Sequence, residues 1–326
     1  MRGFLKALVA VSGLAFLLTL SINMALAFRM GRQAAPVSET DGREALFHII
    51  AILPESDGDG FYAAALAAMH RGAGDSGAVM QVLRYAPAGR GESAARMLSL
   101  AAELEPDAVI AALPQEPGIT ESTQALAAAG IPLVTLESDA SGGSRAAFVG
   151  TNPYGIGTLA AKAVAEGFPQ GADVALVLAS AWADARGATI VAGFMQGLRS
   201  RPDIRLAMTR TAAAGPAASE EIVRELLGGR AGIDVAVFTG ARDAEGAARA
   251  LIEYDRVGAF AIVGFGDDPA LLELMESGVV LATVARSPDR AGEAAVAAAM
   301  NLARGERTGA YVDPGLRLIQ GNGDGQ

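Results

Sequence analysis

At 326 residues, with 51% hydrophobic and 19% charged side chains, the chain is long enough for two domains of ordinary size, and its composition excludes a disordered protein. A formal net charge of −10 argues against nucleic acid or an anionic lipid surface as partner of the folded part, since both are held by clustered Lys and Arg. Cysteine is absent, which removes disulfides, thiolate metal sites, a cysteine nucleophile and a lipid-attachment cysteine; only His48 and His70 could supply imidazole chemistry.

Arg2 and Lys6 precede an uncharged run over 7–28. A run of that length spans a bilayer as a helix, while Ala25-Leu26-Ala27 supplies the small-x-small cleavage site of an export signal. Residues 1–28 are therefore expected to be an N-terminal apolar helix, either signal peptide or membrane anchor. Arg29 and Arg32 balance the basic residues on the other side, so charge asymmetry does not set its orientation. Residues 29–45 lack periodicity and read as a linker, and in either case the body is expected outside the cytoplasm.

From residue 46 apolar strands alternate with amphipathic helices. The pattern predicts strands at 46–53, 78–84, 107–113, 131–137 and 146–150, with helices at 61–71, 92–104 and near 121–129. A second half repeats the rhythm: helices at 154–166, 184–199, 219–227 and 243–254, strands at 172–179, 204–210 and 233–239. The stretch 261–305 then gives a strand at 261–264, a Gly/Asp/Pro turn at 265–269, a helix from 270 stopping at Gly278, a strand at 279–285 and a helix opened by Ser287-Pro288-Asp289. Residues 311–319 read as two short strands and 321–326 as a tail.

Short, continuously apolar strands separated by helices predict parallel sheets covered on both faces. Two successive halves predict two α/β lobes. In such sheets the loops leaving the carboxyl ends of strands line the ligand crevice, which places 265–268 and 286–287 at a binding site. His48 sits in an apolar strand and His70 ends an alanine-rich helix; both read as structural. The dinucleotide-like spacing of glycines over 72–77 follows a helix and precedes a strand, the reverse of what phosphate cradling needs. With no metal-ligand spacing and no nucleophile elbow, neither an enzyme nor a cofactor or metal is expected.

Several blocks carry a family resemblance. Ile131-Pro132-Leu133-Val134-Thr135-Leu136-Glu137, Phe148-Val149-Gly150-Thr151-Asn152-Pro153-Tyr154-Gly155-Ile156-Gly157, Gly193-Phe194, Val263-Gly264-Phe265 and Gly278 through Val284 resemble, in order and spacing over about 46–320, the type I periplasmic binding proteins for ribose and galactose, whose core is shared with lactose-repressor-like regulators. The resemblance implies two doubly wound parallel-sheet lobes joined by a three-strand hinge that shuts on a ligand. It implies an N-lobe of 46–151 plus 286–310 and a C-lobe of 152–285 plus 311–320, with crossings near Thr151, Arg286 and Ala310.

Carried over by position, the family's ligand contacts fall on Phe61 and Tyr62, on Glu137 and Ser138, on Ala241 or Arg242, on Gly266 or Asp267, and on Arg286. An aromatic ring suits the C–H face of a sugar, and carboxylates and guanidinium groups suit its hydroxyls. Core packing is the competing role for Phe61 and Tyr62, and a solvated strand end for Glu137. Ile190 stands where the sugar binders place an arginine, and Arg186, one turn earlier, is the candidate substitute. Trp182, the only tryptophan, either stacks on the ligand or packs in the core. Arg242 and Arg286 equally suit an anionic or aminated polyol-like ligand.

The resemblance implies an exported, periplasmic or otherwise extracytoplasmic protein that captures a sugar or sugar-like ligand for the membrane permease of an ABC transporter. If 7–28 stays as an inner-membrane anchor, the alternative is a ligand-binding subunit signalling to a sensor kinase or chemoreceptor. A repressor would need a helix-turn-helix where the apolar run stands.

Overall fold

A computed structural model describes residues 47–321, apart from 57–59, 87–90, 140–141, 183, 214–215 and 230–231. The expected apolar helix at 1–28, the linker at 29–45 and the tail beyond Gly321 lie outside the described residues. Among the described residues no helix is long and apolar enough to cross a membrane.

The described residues build two six-stranded sheets. The first has the order β2-β1-β3-β4-β5-β11, from β1 (Phe47–Pro54), β2 (Ala78–Tyr85), β3 (Ala108–Ala111), β4 (Leu133–Leu136), β5 (Ala147–Val149) and β11 (Tyr311–Val312). The second has the order β7-β6-β8-β9-β10-β12, from β6 (Ala172–Ala179), β7 (Ile204–Ala212), β8 (Val235–Phe238), β9 (Ala261–Phe265), β10 (Ala282–Arg286) and β12 (Leu316–Gln320). The strand pairs are parallel except for β12, which runs antiparallel to β10. In both sheets the first strand is flanked by the second and third, so each lobe has its topological switch point at the same place.

The inner strands are apolar on both sides because helices cover both faces. β3, β4 and β8 are buried at every position. In the first lobe α1 (Phe61–Asp75) and α9 (Pro288–Ala303) cover one face, while α2 (Ala94–Glu103) and α3 (Ile119–Ala128) cover the other. In the second, α4 (Pro153–Gly167) and α5 (Ala185–Gly197) face α6 (Pro216–Gly228), α7 (Asp243–Glu253) and α8 (Pro269–Glu276) across the sheet. Small side chains bring the helix pairs together. A Cβ on Gly193 would lie 2.2 Å from the Tyr154 carbonyl oxygen, and one on Gly292 2.3 Å from that of Ala65.

Three crossings join the lobes. The first lies between β5 and α4, at Gly150–Asn152. The second, at Arg286–Pro288, passes from β10 in the second sheet to α9, which packs on α1 in the first lobe. The third differs from the expectation near Ala310 and from the assignment of 311–320 to the second lobe. Tyr311 and Val312 pair with Phe148 and Val149 of the first sheet, and Tyr311 Oη donates to the Gly150 carbonyl at 3.1 Å. The crossing therefore falls at Asp313–Gly315, where Gly315 takes a φ of 84°. A second correction concerns the strand expected over 279–285. After α8 the chain wraps, with Gly278 at φ 78° and the N–H groups of Val279 and Val280 both donating to the Leu274 carbonyl, so strand pairing starts only at Ala282.

Candidate functional site

Loops at the carboxyl ends of the strands from both lobes converge on one cavity of about 210 Å³. The loop after β1 and the start of α1 contribute Gly60 and Phe61, the loop after β8 contributes Ala241, the loop after β9 contributes Gly266–Asp268, and the second crossing contributes Arg286 and Pro288. Local sequence fixes these loops. Gly60 (φ 70°) and Gly266 (φ 109°) occupy left-handed conformations that favour glycine. Asp268 closes the β9 loop by accepting from Leu271 N–H at 3.2 Å, with Pro269 in the first turn of α8.

Arg286 is the centre of the arrangement. Its guanidinium carbon stands 4.2 Å over the ring of Phe61 in the first lobe and 5.7 Å from the ring of Phe265 in the second. Its Nη1 is 3.7 Å from Glu137 Oε2, and the two side chains retain 18% and 6% exposure, so the pair is largely withdrawn from water. Glu137 directly follows β4 and lies in the left-handed region at φ 58°, unusual for a residue with a Cβ. That turn carries its carboxylate to the first crossing, where Oε1 accepts from Thr151 N–H at 2.9 Å and from the Thr151 hydroxyl at 2.6 Å. Glu137 thus ties the first crossing to the second through one carboxylate.

The remaining expected residues are placed around this centre. Asp267 lines the cavity and accepts from Arg317 Nη2 at 2.7 Å. Tyr62 meets Phe61 edge-on at 5.4 Å between centroids. Trp182 stands edge-on to Phe265 at 6.5 Å, and its indole N–H donates to the Thr239 carbonyl at 3.1 Å. It therefore backs an aromatic residue of the site and is not among the residues lining the cavity. Arg186 lies over the Trp182 ring at 5.0 Å and pairs with Asp184 at 2.9 Å. The Ser138 hydroxyl turns away and donates to the Leu113 carbonyl. Arg242 is exposed, with Nε 3.5 Å from Glu245 Oε2. Phe61 is only 4% exposed and one face carries the guanidinium, so it acts on the cavity chiefly through Arg286.

Two residues escaped sequence reasoning. Thr151 was visible only as a crossing point; its role follows from the turn of Glu137. Asp243 is 5% exposed at the start of α7, with its carboxylate against the backbone of Gly240, where a Cβ would lie 2.0 Å from Oδ2. Burial pushes its carboxyl up to about 6. The signal was Gly240, three residues earlier.

Comparison with curated protein sequences finds no match. Among solved structures, the periplasmic component of an ABC-type sugar transport system from Hahella chejuensis is similar at 25% identity and a TM-score of 0.70, over 83% of this chain and 99% of that one. A sugar ABC transporter sugar-binding protein from Bacillus halodurans is similar at 21% identity and a TM-score of 0.75, over 85% and 98%. The XylFII–LytSN complex contains a chain similar at 23% identity and a TM-score of 0.67, over 84% and 98%. The family model described as periplasmic binding protein domain matches residues 50–307. With two like-wound lobes, three crossings and a cavity between them, the chain belongs to the periplasmic binding protein family.

Proposed function

We propose that this protein is an extracytoplasmic solute-binding protein that encloses a single sugar or sugar-like ring between its lobes and delivers it to an ABC transporter. The observation that carries the reading is the cavity to which both lobes and the second crossing contribute, with Arg286, Asp267 and Asp268 on its wall. Its volume of about 210 Å³ is below the roughly 300–1,000 Å³ of drug-sized pockets, which favours one ring over an oligosaccharide. Carboxylates and a guanidinium held by intramolecular partners form a rigid set of hydrogen-bonding groups for vicinal hydroxyls. Solved neighbours named for sugar transport support the same class. The test is calorimetry over a panel of pentoses, hexoses, their amino and acid derivatives and polyols, with Trp182 fluorescence as second readout. Saturable binding of one of them is expected; no response to any would remove the carbohydrate reading and leave the fold standing.

A second reading is favoured by two observations: the uncharged run at 7–28 and the likeness to the chain complexed with LytSN. In it the protein stays anchored and its closure signals to a membrane sensor. Sequencing the N-terminus of the exported protein separates the two. A chain beginning at Phe28 supports a free carrier, and an intact Arg2 supports a tethered sensor.

A further inference from the structure

The first and second crossings share a local design. Each has a residue able to cap a helix, followed by proline: Asn152-Pro153 opens α4 and Ser287-Pro288 opens α9. At the first crossing the cap is made. Asn152, at φ −77° and ψ 110°, accepts from Tyr154 N–H at 3.0 Å and from Gly155 N–H at 3.4 Å. At the second it is not. Ser287, at φ −119° and ψ 77°, makes no side-chain cap, whereas the capping Ser93 and Asp268 have ψ of 160° and 150°. Among the described residues the Ser287 hydroxyl, in a residue 7% exposed, has no hydrogen-bond partner. Leaving a buried hydroxyl unpaired is unfavourable, and each such group in a native structure asks for an explanation.

We propose that Ser287 is a switch residue of the hinge, its hydroxyl capping α9 only when the lobes take a second arrangement. This rests on the reading of the protein as one whose lobes move about the crossings. The chain leaves the second sheet through Arg286 and enters α9 of the first lobe through Pro288. Rotation about ψ of Ser287 therefore swings one lobe against the other. The same rotation into the extended region brings Oγ towards the N–H groups of the first turn, Asp289 and Arg290. Arg286 lies before the rotating bond and stays with β10, while Phe61 travels with α1 and α9. Making the cap and parting the Arg286 guanidinium from the Phe61 ring are one motion. The two arrangements differ in both contacts: this one has the 4.2 Å stack and no cap, the second has the cap and no stack. Ser287 is thus a positioning residue for Arg286.

The chain has no cysteine, so a spin-label pair at Glu121→Cys and Arg199→Cys, exposed positions in the two lobes, reads the inter-lobe distance without ligand. Ser287→Ala removes both the orphan hydroxyl here and the cap there. It is expected to move the ratio of the two populations about ten-fold towards the arrangement described above. Ser287→Thr keeps the hydroxyl and is expected to keep the parent distribution; far-ultraviolet dichroism and cooperative unfolding establish that each variant folds. Superimposable distributions for the parent and Ser287→Ala, or enrichment of the second population in Ser287→Ala, overturn the proposal. The outcome separates from the carbohydrate reading. A shifted distribution in a protein that binds no sugar removes only the latter, and sugar binding with unshifted distributions removes only the switch.

Discussion

Arg286 and Glu137 form the most consequential pair in the molecule, and a double-mutant cycle measures how. Arg286→Ala removes a cation from beside the Glu137 carboxylate, which is 6% exposed. Stranding a fully buried charge costs about 3–5 kcal/mol. Here the two Thr151 hydrogen bonds remain and the ion pair is loose at 3.7 Å, so the low end of that range or less applies. Loss of the cation over Phe61 adds about 0.5–2 kcal/mol. The sum is up to about 3.5–5 kcal/mol. Glu137→Gln keeps an acceptor for Thr151 and removes the charge, at about 1–2 kcal/mol. In the double variant no carboxylate is stranded, so the two losses should overlap by about 1–2 kcal/mol. Urea unfolding followed by far-ultraviolet dichroism, at fixed pH and salt, gives all four stabilities. Additivity within about 0.5 kcal/mol would refute the claim that the pair acts as one unit across the two crossings.

Asp243 predicts a pH effect of defined sign. Its carboxyl is raised from 3.8 to about 6 in the folded chain, so the native state binds more protons than the unfolded one between those values. The penalty is absent below 3.8, grows as pH rises and is complete above about 6, where it approaches roughly 3 kcal/mol. Asp243→Asn should therefore stabilise the protein at pH 7.5 and have little effect near pH 4; an equal effect at both would show that burial does not govern the group. The helix pairs predict a contrast between glycines: Gly193→Ala drives a methyl into the Tyr154 carbonyl and should lose about 2–3 kcal/mol or more, measured by thermal unfolding. Gly74→Ala in α1 meets nothing within 4 Å and should gain about 0.5–1 kcal/mol; equal effects at the two positions would count against tight α4–α5 packing.

The alternation of apolar strands with helices was legible because both sheets are covered on both faces, which makes a strand such as 235–238 apolar at every position. Ser287-Pro288 marked the opening of α9, although the serine side chain makes no cap in this structure. Local pattern failed where a long-range partner decides the conformation. Residues 311–312 were legible as a strand but not as a member of the first sheet, a place they owe to Phe148 and the Gly150 carbonyl. Val279 and Val280 have strand-forming side chains, but their N–H groups are taken by Leu274. At the site, Phe61, Asp267 and Arg286 share a cavity, as strand-end loops imply. Sequence could not reveal that Arg286 would cover the Phe61 ring, that Ser138 would turn to Leu113, or that Trp182 would stand behind Phe265. These depend on how two lobes meet.

The most direct test of the account is a crystal structure of the protein purified from its source with its own solute bound. Electron density for a single small molecule between Arg286, Asp267 and the Gly266 backbone, enclosed by both lobes, is the expected result. A solute held by one lobe alone, away from the carboxyl ends of the strands, would contradict it.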